Sequence, residues 1–208
     1  MKIIIFGSTG SVGRHLVEQA LKMGHGVTAF ARNPYALDVE HENLKLVAGD
    51  AHDPVSVSQA MNGHDVVLVT LGSSSLSSRV RSIGTFNIIK AMKVNGIKRL
   101  ICQSTLGVGA SRENLNFFWK YLMFGFILRK PYDDHVVQEA LVQQSKLNWT
   151  IVRPSSFTDE LNLGDFKQGF GPNERGLSLK ISRSEVASFM LQQVSCGKYL
   201  HQTPAISY

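Results

Sequence analysis

The sequence has few cysteines and no grouping of metal-ligating residues. Its two cysteines, Cys102 and Cys196, are isolated, and Cys102 lies in an apolar run typical of a strand. Such sparse cysteines indicate a reducing, cytoplasmic environment without a disulfide. The seven histidines form no cluster with ligand spacing, so no metal site is expected. A Gly-x-Ser-x-Gly elbow and a Gly-x-x-x-x-Gly-Lys-Ser/Thr loop are missing too, which argues against the hydrolases and nucleoside triphosphatases that carry them.

Long apolar runs and clusters of one charge are also absent. No segment has the roughly 18 uninterrupted apolar residues of a membrane span, and Met1 leads directly into a strand-like run, so neither a membrane anchor nor a signal peptide is expected. The net charge of +6 comes from scattered basic residues, a pattern that favours an anionic small molecule over nucleic acid. With 208 residues and 43% hydrophobic content, the chain fits a single α/β domain over residues 1–208.

The most informative stretch lies at the N-terminus, where a short apolar run ends in glycines at every third position and a helical pattern follows. A strand, turn and helix of this kind holds a dinucleotide pyrophosphate on free backbone amides at the positive end of the helix. A plain structural turn is the alternative. The residues expected to contact the cofactor here are Gly7, Ser8, Thr9, Gly10, Ser11, Val12 and Gly13.

The residues after the next two predicted strands bear on which dinucleotide binds. Arg32 follows a strand at 26–31, where NAD-selective folds carry an acid for the ribose 2′-hydroxyl and NADP-selective folds an arginine for the 2′-phosphate. This position predicts NADP(H), with a solvated surface arginine as the alternative. Asp50 and Ala51 follow a strand at 44–48. Asp50 is either a contact at the adenine end of the cofactor or a simple turn or N-cap acid.

Later strands deliver further residues to the same edge of the sheet. Strands are predicted at 65–70, 99–103 and 149–153, and they are followed by Leu71-Gly72, by Ser104, and by Pro154, Ser155 and Ser156. The alternation of strands and helices predicts a doubly wound, Rossmann-type parallel sheet with helices on both faces. Ligands bind such a sheet where its strand order reverses. One crevice is therefore expected to be lined by Gly7, Arg32, Asp50, Gly72 and Ser104.

Apolar periodicity assigns inward faces to two later helices. For the helix at 80–95 the inward residues are Ile83, Phe86, Ile89 and Met92. A second helix is expected to open at Pro131, and its inward residues are Val136, Val137, Ala140 and Leu141.

Two segments interrupt the alternation and are predicted to be insertions around the substrate pocket, at about 105–132 and 155–180. The first contains an aromatic stretch at 114–130, which is a lid over the substrate, a dimer surface or a buried core helix. It is too interrupted to span a membrane. The second contains four glycines between 158 and 180, and we expect an ordered loop that contributes to substrate choice.

Taken together, these features resemble the atypical short-chain dehydrogenase/reductase superfamily, specifically its NAD(P)H-binding branch that includes flavin reductase. The similarity runs through the glycine turn, Arg32, Gly49-Asp50, Leu71-Gly72, Ser104, Asp133-Asp134-His135 and 149–154. Active members of the superfamily use a Tyr-x-x-x-Lys pair for proton transfer. None of the five tyrosines here has a lysine four residues further on.

The resemblance implies an NADPH-dependent oxidoreductase that passes a hydride to a small acceptor such as a flavin or quinone. Ser104 would hydrogen-bond near the nicotinamide, and His135 would lie in the substrate pocket, where an ordinary pKa of about 6.5 suits proton transfer. Flavin reductase carries a histidine at the position of Ser156, so its substrate range does not carry over directly. Because the Tyr/Lys pair is missing, the alternative is a redox sensor that binds the dinucleotide without turnover. A monomer or homodimer is expected.

Overall fold

The computed structural model describes residues 1–73, 75–160 and 165–208. Short apolar runs separated by amphipathic segments form alternating strands and helices, as the sequence predicts. In chain order these are β1 (Lys2–Phe6), α1 (Gly13–Lys22), β2 (Gly26–Ala31), β3 (Leu44–Ala48), α2 (Pro54–Met61), β4 (Val66–Val69), α3 (Val80–Val94), β5 (Arg99–Gln103), α4 (Arg129–Gln143), β6 (Asn148–Pro154), β7 (Ser156–Thr158), β8 (Lys167–Gln168), β9 (Lys180–Ser182), α5 (Arg183–Gln192) and β10 (Ala205–Ser207). Short 3₁₀-helices lie at Pro34–Leu37 and Gly109–Asn114, and a π-helix lies at Phe118–Ile127.

Within the described residues, eight strands form the main sheet in the order β3-β2-β1-β4-β5-β6-β10-β8. All neighbours are parallel except β8, which runs antiparallel to β10. The chain builds outward from β1 to β3 and then crosses to β4 on the other side of β1, so the strand order reverses between β1 and β4. A doubly wound Rossmann-type sheet is thus confirmed, and its ligand crevice belongs at this reversal.

Helices cover both faces of the sheet. Helices α1 and α5 pack together on one face, and α2, α3 and α4 lie side by side on the other. The inner face of α1 is apolar, and its residues Leu16, Val17, Ala20 and Leu21 are all buried. All four residues of β4 are fully buried, as expected for a central parallel strand.

The inward faces predicted for α3 and α4 are partly wrong. On α3, Ile83 and Phe86 are 42% and 48% exposed, while Ile89 and Met92 are buried as predicted. On α4, Val136 and Val137 are 41% and 50% exposed. The buried residues of α4 are Asp134, His135, Gln138, Glu139 and Val142.

Polar partners from other segments explain why α4 turns its polar side inward. Asp134 accepts hydrogen bonds from the backbone amides of Arg81 and Ser82, both at 3.1 Å, and so caps the N-terminus of α3. Glu139 forms a buried bidentate pair with Arg153, at 2.9 and 2.6 Å. The helix also begins two residues before Pro131, whose missing N–H is no loss in the first helical turn.

The aromatic stretch forms a π-helix, Phe118–Ile127, and does not pack as a core helix. Phe124 is its one buried residue, whereas Phe117 and Phe126 beside and within it are 77% and 82% exposed. Its inner side packs on the end of the sheet through Trp119 and Phe124. This placement fits a lid over a pocket and excludes the core alternative.

The region predicted as an ordered loop at 158–180 carries the short strand β8, and its residues 161–164 lie outside the described part of the chain. Among the residues that the structure describes, no helix has both the length and the apolar character needed to span a membrane. Over the same residues, no group of histidine, cysteine and acidic side chains is arranged to hold a metal ion.

Candidate active site

A cavity of about 610 Å³ opens at the carboxyl ends of the parallel strands, at the reversal of strand order. It is lined by all five residues that the sequence places in one crevice: Gly7, Arg32, Asp50, Gly72 and Ser104. The cavity also extends under the inner side of the aromatic π-helix. One continuous space therefore joins the glycine turn to the proposed lid.

Glycines shape the outer end of the cavity. Gly7 has φ +86°, and a Cβ there would lie 2.6 Å from the Thr70 carbonyl oxygen. A Cβ on Gly13 would lie 2.1 Å from the Gly7 oxygen, so α1 can start this close to β1 only with glycine at that position. Gly10 is less crowded, with its nearest contact at 3.1 Å. The turn at residues 9–12, which leads directly into the N-terminus of α1, is thus brought to the cavity.

Two residues of the predicted turn support it without lining the cavity. Thr9, Gly10, Ser11 and Val12 reach the surface of the cavity, but Ser8 and Gly13 do not. Ser8 is fully buried, and its hydroxyl donates to the Phe30 carbonyl at 3.2 Å. The Ser8 hydroxyl therefore holds the turn against β2.

Arg32 and Asp50 form the polar rim of the outer end. Arg32 is exposed at the end of β2 and lines the cavity. Asp50 accepts a hydrogen bond from the His52 amide at 2.9 Å, and this bond, together with His52 and Arg32 nearby, lowers the pKa of its carboxyl. The N-cap alternative for Asp50 is wrong, because Asp53 caps α2 by accepting from Val55 and Ser56.

The inner end of the cavity collects polar atoms that lack partners. Within the described residues, Gln103 Oε1, Ser104 Oγ and Ser155 Oγ are buried and have no hydrogen-bond partner. All three residues line the cavity, as does Ser156. Pro154, predicted as a cofactor contact, does not line it, because it lies within β6 and its carbonyl accepts from the Leu106 amide. Unpaired buried hydroxyls are costly unless a ligand satisfies them.

His135 lines the same inner end and is 9% exposed. Gln138 donates from its amide nitrogen to Thr85 Oγ1 at 3.0 Å, which leaves its oxygen to accept from His135 Nδ1 at 3.2 Å. Nε2 of the imidazole is then an acceptor. Burial, and secondarily the Arg81 cation, lowers the pKa of His135 to about 3. His135 is therefore in the pocket as predicted, but the expectation of a pKa near 6.5 is not met.

Arg81 lines the cavity but was not predicted from the sequence. Its position could have indicated a role, because it is a basic residue in the first turn of α3, where the helix dipole favours an acid. Trp119, Phe124 and Leu128 also line the cavity, and they come from the aromatic stretch for which a lid was one of the predicted alternatives. Their spacing did not decide between a lid and a core helix, since aromatic side chains at helical spacing fit both.

Comparison with known proteins shows the family of the chain. A family model described as NAD(P)H-binding matches residues 7–196. The chain belongs to this NAD(P)H-binding family. Membership confirms the predicted branch and supports a nicotinamide dinucleotide as the cofactor of the chain.

Some relatives of the chain are named as reductases, and its fold recurs in solved structures. A 2-alkyl-3-oxoalkanoate reductase of Stenotrophomonas maltophilia is 33% identical over 52% of the chain and 34% of its own length. A Rossmann-fold NAD(P)-binding family protein of Shigella flexneri is 26% identical, covers 99% of the chain and 92% of its own, and has a TM-score of 0.76. A short-chain dehydrogenase/reductase of Veillonella parvula, solved in complex with NADP, is 19% identical with a TM-score of 0.83, over all of this chain and 94% of its own.

The curated relatives are longer proteins. An isoflavone reductase homolog of Zea mays is 28% identical over 55% of the chain, which corresponds to 38% of its own length. The chain thus spans about a third of the length of such relatives. Their names agree with the predicted NAD(P)H-dependent oxidoreductase class and with a small-molecule substrate.

Proposed function

We propose that the chain is an NADPH-dependent reductase that passes a hydride to a small, planar acceptor such as a flavin or quinone. The observation that carries the proposal is the single cavity, which joins a glycine-rich turn at one end to an apolar lid and unpaired hydroxyls at the other. A protein that only held the dinucleotide would have no use for the lidded space beyond it.

The residues along the cavity fit the successive parts of the cofactor. The turn at 9–12 would hold the pyrophosphate, and Arg32 would pair with the 2′-phosphate through charge-assisted hydrogen bonds. Asp50 and Ala51 would face the adenine end, Leu71 and Gly72 the ribose, and Ser104, Ser155 and Ser156 the nicotinamide end. When bound there, the nicotinamide supplies the hydride.

The protein's own contribution at the inner end is to orient the acceptor and exclude water. The hydroxyls of Ser104 and Ser155 have free hydrogen-bonding capacity, and His135 Nε2 can accept a hydrogen bond from an N–H or O–H of the acceptor. Trp119, Phe124 and Leu128 cover the space with apolar surface. Planar apolar molecules suit such a site.

The identity of the acceptor class follows from the proton supply. In the described residues no tyrosine lines the cavity, and His135 is neutral with its free nitrogen unprotonated. The site therefore has no built-in acid. Flavins and quinones suit it because hydride transfer leaves them as delocalised anions, which can take their proton from water after release.

Anaerobic stopped-flow spectroscopy tests the proposal. NADPH oxidation is followed at 340 nm against a panel of flavins and quinones, and the same runs are made with Ser104→Ala. We expect saturable oxidation by wild type and a rate at least about 10-fold lower in the variant, as for loss of a hydrogen bond to a charged or strongly polar group. Tight NADPH binding without oxidation by any acceptor would instead establish a sensor.

A further inference from the structure

The guanidinium of Arg81 is a buried cation in the cavity wall that the proposed function leaves unused. Arg81 lies in the first turn of α3 and lines the inner part of the cavity. Its side chain is 15% exposed, and among the described residues its buried Nε has no hydrogen-bond partner. One terminal nitrogen lies 3.9 Å from the place that a Cβ on Gly72 would occupy.

The neighbouring carboxylate does not account for this cation. Asp134 Oδ2 is 3.8 Å from Arg81 Nη1, too long for a hydrogen bond. The Asp134 oxygens are already taken up by the backbone amides of Arg81 and Ser82 and by the Ser82 hydroxyl. Burial lowers the pKa of Arg81 despite the opposing effect of Asp134, which indicates a charge that is only partly compensated.

The cofactor does not account for it either, if the cofactor lies as proposed. Its phosphates are assigned to the turn at 9–12 and to Arg32, and its nicotinamide end carries no anion. Arg81 instead shares the inner end with His135, whose pKa it lowers through space. The two side chains together present one cation and one neutral acceptor beside the lid residues Trp119 and Phe124.

We infer that Arg81 forms an anion-binding subsite for the acceptor, so that the preferred acceptor is a planar apolar molecule bearing a carboxylate or phosphate. Guanidinium groups bind both anions through paired, charge-assisted hydrogen bonds. The terminal nitrogens of Arg81 supply the donors, and the lid covers the ring system. This inference rests on the proposed assignment of the inner end to the acceptor.

FMN and riboflavin are a matched pair of probes, because they share the ring system and differ in the phosphate. Binding of each is measured by flavin fluorescence on the full chain with NADP⁺ present, for wild type, Arg81→Gln, Arg81→Lys and Arg79→Gln. Arg79 is the matched control, since it is an exposed arginine two residues earlier that does not line the cavity. NADP⁺ affinity and thermal stability are measured for every variant.

Wild type should bind FMN at least about 10-fold more tightly than riboflavin, in line with a hydrogen bond to a charged group. Arg81→Gln should reduce that preference to within about 3-fold, while Arg81→Lys keeps part of it and Arg79→Gln keeps it in full. Turnover separates this inference from the proposed function: an Arg81-dependent preference without reduction of either flavin refutes the reductase and leaves the subsite standing.

Three results would overturn the inference. A preference that does not depend on Arg81, including the case in which neither flavin binds, shows that the guanidinium does not recognise the acceptor. A loss of NADP⁺ affinity in Arg81→Gln equal to the loss of FMN affinity shows that it serves the cofactor. A purely structural role would lower the melting temperature of Arg81→Gln without changing the flavin preference, and that outcome also counts against the subsite.

Discussion

The buried imidazole of His135 makes the stability of the protein depend on pH, and the His135→Gln substitution should remove that dependence. Burial lowers the pKa of His135 to about 3 in the folded chain, against about 6.5 in an unfolded chain. Between these two values the unfolded state binds a proton that the folded state does not. Stability contributed by the neutral imidazole is therefore fully present above about pH 6.5 and is lost as the pH falls.

The size of the effect follows from the pKa difference. Protonation of His135 in the unfolded chain lowers the free energy of unfolding by about 2 kcal/mol between pH 7.5 and pH 5. Each pH unit below 6.5 contributes about 1.4 kcal/mol. For a domain of about 200 residues this corresponds to a melting temperature roughly 4–8 °C lower. Other titrating groups add their own pH dependence, so the difference between wild type and variant isolates the histidine.

Urea unfolding at pH 7.5 and pH 5 is the appropriate assay, with wild type, His135→Gln and the exposed control His41→Gln. The loss of unfolding free energy between the two pH values should be about 2 kcal/mol smaller in His135→Gln than in the other two proteins. Nitrogen NMR of labelled histidine should show His135 protonated on Nδ1 alone across this range. Equal pH dependence in all three proteins, or titration of His135 near pH 6.5, would refute the buried neutral imidazole.

Three further predictions concern the cofactor end of the cavity. Arg32→Ala should raise the Kd for NADPH by roughly 10- to 100-fold and change the Kd for NADH by less than about 3-fold, measured calorimetrically with Arg79→Ala as control. Equal losses for both cofactors would contradict a 2′-phosphate contact. Gly10→Val should abolish NADPH binding, because its side chain would occupy the position proposed for the pyrophosphate. Its circular dichroism spectrum should stay native, since a Cβ at residue 10 meets the Gly7 oxygen at 3.1 Å and the Thr70 oxygen at 3.9 Å. Retained NADPH affinity in Gly10→Val would place the pyrophosphate elsewhere. Gly13→Ala should instead lower the free energy of unfolding by about 3 kcal/mol, since its Cβ would lie 2.1 Å from the Gly7 oxygen.

Local patterns were sufficient to predict the sheet and the outer end of the site. The predicted strands at 26–31, 44–48 and 99–103 agree with β2, β3 and β5 to the residue. In a chain that alternates strands and helices, short β-branched runs bounded by turn residues are typical of strands. The carboxyl ends of parallel strands must meet at one edge, so residues such as Arg32 and Ser104 could be placed in one crevice without any knowledge of long-range contacts.

The inner end was less predictable because two stripes on α4 have the same helical spacing. The apolar set at positions 136, 137, 140 and 141 and the polar set at 134, 135, 138 and 139 each recur at i, i+1, i+4 and i+5, so periodicity alone gives no preference between them. Hydrophobicity selects the first stripe, yet the second is buried.

What decides the orientation of α4 is partners that lie far away in sequence. Glu139 meets Arg153 from β6, and Asp134 caps α3 from 52 residues further along the chain. A buried carboxylate is tolerated only when such donors surround it. Once Asp134 and Glu139 are fixed inward, His135 and Gln138 must follow them, because they lie on the same face of the helix. The contacts of Asp134 and Glu139 therefore also bring the His135 imidazole to the cavity. Its burial there lowers its pKa.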